Sequence, residues 1–156
     1  MSGGQPFSTE LESFLLARIE TYEELETLLL LRREPQSSWS PDAVGARLNI
    51  DRERALETLM RLAGAGLLRA VHSAPDKPYC YDPVDAAIDR VVEQLDVAMG
   101  SRQLDLIKLM NANAMTRMRT RAIRAFADAF VLQDREKGGG AGGGAGGGGN
   151  SEGNDA

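Results

Sequence analysis

The sequence predicts a mainly α-helical domain that carries one small β-hairpin and is flanked by further helices at both ends. Three observations predict it. Hydrophobic residues make up 42 % of the chain but aromatics only 5 %, so the core has to be built from Leu, Ala, Val and Ile packed between helices. Apolar residues recur at three- and four-residue spacing in several segments that begin and end on helix-capping residues. Two short strand-like runs occur together in one place only, around a turn rich in Pro, Asp and Ser. At 156 residues the chain has room for one ordinary domain and little else.

Residues 1–8 are expected to precede the fold as a disordered N-terminus. Thr9 with Glu12, and Thr21 with Glu24, each have capping-box spacing, in which a hydroxyl and a carboxylate satisfy free amides at a helix start. Two helices, or one broken helix, therefore cover 9–33, with Leu25, Leu28 and Leu29 facing the core and Pro35 as the stop. Ser40 is an N-cap, Pro41 suits the first helical position, and Trp39 can staple onto Val44, so a short helix is expected over Pro41–Leu48. Asn49 and Ile50 form a brief turn. Asp51 then caps a third helix, whose inward stripe is read as Leu56, Leu59, Met60 and Ala63 and whose end is marked by Gly64 and Gly66.

Residues 67–71 and 79–81 read as the two strands of the hairpin, joined through His72 to Pro78. Pro83 closes it. A helix follows over about 84–99 with Ile88, Val91, Val92 and Leu95 buried, and Gly100 stops it. Residues 103–110 are too uniformly apolar for periodicity to decide, and their Leu, Lys and Met content favours helix. In the last stretch Ile123, Phe126, Ala127, Phe130 and Val131 line one helical face, which needs cover from the domain or from a second chain. Residues 138–149 are glycine interrupted only by Ala141 and Ala145; such a segment buries nothing and loses much backbone entropy on ordering, so 136–156 is expected to be a disordered tail. The expected organisation is thus a domain over 9–99 and a helical extension over 101–135.

Several function classes are disfavoured. No apolar run approaches the roughly 18 residues of a membrane span, and Leu28 to Leu31 ends at Arg32 and Arg33. The start shows no secretory signal, which makes the cytoplasm the expected compartment. One cysteine, Cys80, and one histidine, His72, provide neither a disulfide nor a zinc cluster, so no metal and no cofactor are expected. No phosphate-binding glycine loop follows a strand, and no nucleophile, base and orienting group stand at a recognisable spacing, so an enzyme is not expected. The net charge of −5 is segregated: residues 1–100 sum to −7 and residues 101–137 to +4. An acidic front repels DNA phosphate unless cations cluster locally.

Helix, short helix, tight turn, helix, two-stranded hairpin, helix is the order of a winged helix-turn-helix. On that order, with Trp39-Ser40-Pro41 opening the motif, Asn49 to Arg61 in its turn and second helix, and Gly66-Leu67-Leu68 entering the hairpin, the chain resembles winged-helix transcription regulators of the MarR and ArsR type over about 21–99. The stretches Leu25 to Arg33, Tyr79-Cys80-Tyr81-Asp82-Pro83 and Ala125 to Phe130 are also similar to a group of small uncharacterised bacterial winged-helix proteins.

The resemblance implies a DNA-binding transcriptional regulator that places the helix after Asp51 in the major groove of double-stranded DNA. With the apolar stripe inward, Arg54, Glu57, Thr58 and Arg61 point outward: Arg54 is placed to read guanine, Arg61 to meet a phosphate, and Lys77 at the hairpin tip to reach the adjacent backbone, with Arg52 at the edge. Arg47 and Arg69 are weaker candidates. Arg117, Arg119, Arg121 and Arg124 form a second cationic group, beside DNA or against the acidic front. A homodimer through the terminal helices is expected. Because Glu53 and Glu57 lie among the arginines, the alternative is a winged helix that binds protein and not DNA, and a continuous positive face against a broken one discriminates the two. A ligand sensor would further need a cavity between the flanking helices and the hairpin.

Overall fold

The computed structural model describes residues 6–138 of the chain, with side chains to residue 131. Six helices and a two-stranded antiparallel sheet are formed among the described residues: α1 (Thr9–Arg18), α2 (Tyr22–Arg33), α3 (Pro41–Leu48), α4 (Arg52–Gly64), β1 (Leu68–Ala70), β2 (Tyr79–Tyr81), α5 (Ala86–Ser101) and α6 (Gln103–Gly138). The mainly α class with one hairpin is therefore observed. No helix among the described residues is long and apolar enough to cross a membrane.

The described residues divide into two units, with the boundary between Thr116 and Arg117. The boundary falls inside α6 and not near residue 100, because Leu106 and Met110 on its first turns are buried in the core of the first unit. That core is leucine-dominated, as the scarcity of aromatics requires: Leu15, Leu25, Leu28, Leu29, Leu31, Leu59, Leu62, Leu67, Leu95 and Leu106 are all essentially inaccessible. Helix α2 runs through its middle, buried on nearly every side from Thr27 to Leu31, and this explains four successive leucines where an amphipathic surface helix would carry a stripe. Helix α5 buries Ile88, Val91, Val92 and Leu95 as its periodicity predicts, and adds Ala98.

Local chemistry sets most element boundaries. Thr21 and Glu24 form the full capping box at α2: the Glu24 carboxylate accepts from the amides of Thr21 at 2.7 Å and Glu20 at 3.0 Å. At α1 the cap is Ser8, not Thr9, and Phe7 packs on the core beneath the Arg102 guanidinium, so residues 6–8 belong to the fold. Residues 1–5 lie outside the described residues. Helix α5 starts on Asp85, whose carboxylate accepts from the Ile88 amide, two residues later than the expected start. Residues 103–110 are helical, and α6 continues through 138, past the expected tail boundary; the rest of the glycine-rich tail, 139–156, lies outside the described residues.

Between α3 and α4 the chain turns through Asn49 in the left-handed region (φ 58°). The turn is tight enough that a Cβ on Gly45 would stand 2.8 Å from the Ile50 carbonyl oxygen. The strands pair Leu68 with Tyr81, Arg69 with Cys80 and Ala70 with Tyr79. Trp39 adds a connection absent from its sequence reading as a staple: its amide donates to the Tyr79 carbonyl at 2.7 Å and its carbonyl accepts from the Tyr79 amide at 2.9 Å. The segment entering α3 is thereby tied to the hairpin.

Candidate interface on helix α4 and the hairpin

Helix α4 starts on Asp51, whose carboxylate accepts from the Arg54 amide at 2.8 Å. Its buried positions are Ala55, Thr58, Leu59 and Leu62, at i, i+3, i+4 and i+7. This stripe is rotated from the expected one, with two consequences for the candidate residues. Thr58 is buried at 6 % exposure and does not belong to the outer surface, contrary to the sequence reading. Met60, expected inward, is 57 % exposed, and Leu56 is half-buried beside it. The physical reason is that α2, α3 and β1 all pack on α4. The smaller residues Ala55 and Thr58 admit that close approach, whereas Leu56 and Met60 would not.

The outer surface of α4 then presents Arg52, Glu53, Arg54, Glu57, Met60 and Arg61. Each of its three arginines has a carboxylate partner. Arg52 Nε lies 3.4 Å from Asp42 Oδ1. Arg54 Nε donates to Glu23 Oε2 at 2.7 Å, linking the first turn of α4 to the first turn of α2. Arg61 Nη2 donates to Glu57 Oε1 at 3.2 Å, and its Nη1 lies 3.7 Å from Glu20 Oε2. The intrahelical Glu57–Arg61 pair was legible from spacing. Glu20 and Glu23 were not, being separated from their partners by more than thirty residues of sequence.

In the hairpin, Arg69 pairs with Asp82 across the strands at 3.1 Å. Lys77 is exposed in the turn with φ 50°, and among the described residues Lys77 and Arg47 carry no carboxylate within 4 Å. Residues 41–82 hold six cationic and six anionic side chains, so this surface is neutral before Glu20 and Glu23 are added. Beside Met60 lies a shallow depression lined by Glu53, Leu56, Glu57, Met60 and Arg61, apolar at its floor and charged at its edges.

Behind the hairpin a polar cluster fixes its position. The Tyr81 hydroxyl donates to Asp89 of α5 at 2.5 Å, and Arg32 of α2 bridges Asp89 at 3.4 Å and Asp96 at 3.7 Å. Burial, then the Asp89 carboxylate, pushes the Tyr81 hydroxyl well above the usual tyrosine range. Cys80 is buried in β2, and His72 is exposed in the turn. Arg119, Arg121 and Arg124 lie exposed on α6 in the second unit. Comparison with protein-family models, with curated proteins and with solved structures gave no match, so the reading of this surface rests on its own geometry.

Proposed function

We propose that the chain is a winged-helix module that contacts a protein partner through the outer face of α4 and the adjoining corner of α2. The observation that carries this reading is the pairing of Arg52, Arg54 and Arg61 with Asp42, Glu23, Glu57 and Glu20. Phosphate recognition gains affinity by releasing counterions in proportion to the cations it presents, and a neutral surface offers little of that term. The same face carries what a protein interface needs: exposed Met60 and half-buried Leu56 between Glu53 and Glu57, suited to a partner segment with an apolar residue flanked by cations. The winged-helix assignment is supported by the order α2, α3, turn, α4, hairpin, α5 and by the two Trp39–Tyr79 hydrogen bonds that bind hairpin and α3 into one body.

DNA binding is the second reading, and one observation favours it. Arg52 and Arg54 stand at the N-terminal end of α4 with side chains more than 60 % exposed. Exposed ion pairs are worth only about 0 to 1 kcal/mol, so phosphates can displace the carboxylates.

One paired experiment separates the readings. The purified chain is tested for partners captured from its own source and for retention of sheared DNA over a salt titration, beside Met60→Glu and the double variant Arg54→Glu with Arg61→Glu. A partner whose affinity falls at least about tenfold with Met60→Glu, and no fragment-specific DNA retention at low salt, supports the protein-binding reading. Salt-sensitive retention of particular fragments that the arginine variant loses would replace it with the DNA reading.

A further inference from the structure

The second unit presents an apolar face that nothing described in that unit covers. Ile123 is 69 % exposed, Phe126 73 %, Phe130 58 % and Val131 52 %. At about 100° per residue, Ile123, Phe126 and Phe130 fall within roughly 60° of one another around the α6 axis, whereas Arg117, Arg121 and Arg124 fall on the opposite half. The two phenyl rings stack on each other with centroids 6.4 Å apart, forming a ridge and not two isolated side chains. A helical face of this composition has to be buried to be stable in water.

We infer that a second copy of this chain covers that face, the two α6 segments packing antiparallel through Ile123, Phe126, Phe130 and Val131. Area identifies the occupant. An aromatic side chain brings roughly 150 to 250 Å² to an interface, so Phe126 and Phe130, with Ile123 and Val131 beside them, offer on the order of 500 Å² per chain. A specific interface needs about 1,000 Å² in total, a value reached when the opposing surface is equally apolar and equally long, as the same face on a second copy is. A two-fold interface is self-complementary by construction.

Charge sets the direction. Arg119 projects from the same sector as Phe126 and Phe130. Parallel pairing in register would bring Arg119 against its own copy inside the contact. Antiparallel pairing about Phe126 and Ala127 moves the two Arg119 side chains to opposite ends of the contact.

Sedimentation equilibrium on the full chain across the micromolar range is the test, with Phe126→Glu combined with Phe130→Glu as the variant. The expected result is a wild-type dimer and a variant whose dimerisation is weakened by about 100-fold or more, with unchanged far-UV circular dichroism in the monomer. Direction is read in a Cys80→Ala background with a short bismaleimide linker: Ala127→Cys cross-links to its mate and Met118→Cys does not. A wild-type monomer overturns the inference, and if that monomer binds anionic phosphatidylserine vesicles through the same phenylalanines the face belongs to a lipid surface. A variant that remains dimeric overturns the assignment of the face. Cross-linking at Met118→Cys overturns the antiparallel arrangement.

Discussion

Gly45 stands where α3 passes closest to the start of α4, and the 2.8 Å that would separate a Cβ there from the Ile50 carbonyl oxygen leaves no flexible atom to give way. Gly45→Ala is therefore expected to lower unfolding free energy by about 1 to 3 kcal/mol in urea titrations, the range for forced overpacking. Tyr81 makes a pH prediction. Its hydroxyl is held protonated by burial and by donation to Asp89, so its folded pKa lies above its unfolded value of about 10. A group raised in this way contributes stability that is complete below the unfolded pKa and is lost as pH climbs toward the folded one. Thermal unfolding of the native chain is accordingly expected to fall more steeply above about pH 10 than that of Tyr81→Phe, the two curves running parallel at neutral pH. Parallel curves throughout would show that this hydroxyl does not matter to the alkaline limb.

Among the elements, α3 and β2 were legible to the residue because their limits are set by near neighbours in sequence: Ser40 and Pro41 at one, the Pro78 and Pro83 flanks at the other. Helix α4 was not, since apolar residues at 55, 56, 59, 60, 62 and 63 contain two overlapping stripes, and periodicity does not choose between them. The choice is made by what packs on it, and the smaller Ala55 and Thr58 go inward. Leu59→Ala is expected to cost about 2 to 5 kcal/mol and Met60→Ala under about 0.5 kcal/mol, a contrast denaturant unfolding resolves easily. The candidate site was half legible for the same reason. The arginines of α4 could be named from sequence; their partners Glu20 and Glu23 arrive only when α2 packs against α4. A double-mutant cycle on Arg54 and Glu23 is expected to give a coupling of about 0.2 to 1 kcal/mol that shrinks as salt is raised.

At the scale of the molecule, every large buried side chain among the described residues lies between Leu11 and Met110, within the first unit. A chain truncated after Thr116 keeps all of these core residues and is expected to fold by itself, read as a cooperative urea transition with retained helical circular dichroism. Trp39 offers a way to watch the fold at work. It is the sole tryptophan, and its backbone makes both hydrogen bonds that join the entry of α3 to β2. Intrinsic fluorescence excited in its band therefore comes from one indole, stationed at the seam between hairpin and helices. Any partner that pulls the hairpin from that seam will announce itself as a shift in emission, and one that docks on α4 without disturbing it will leave the spectrum unchanged.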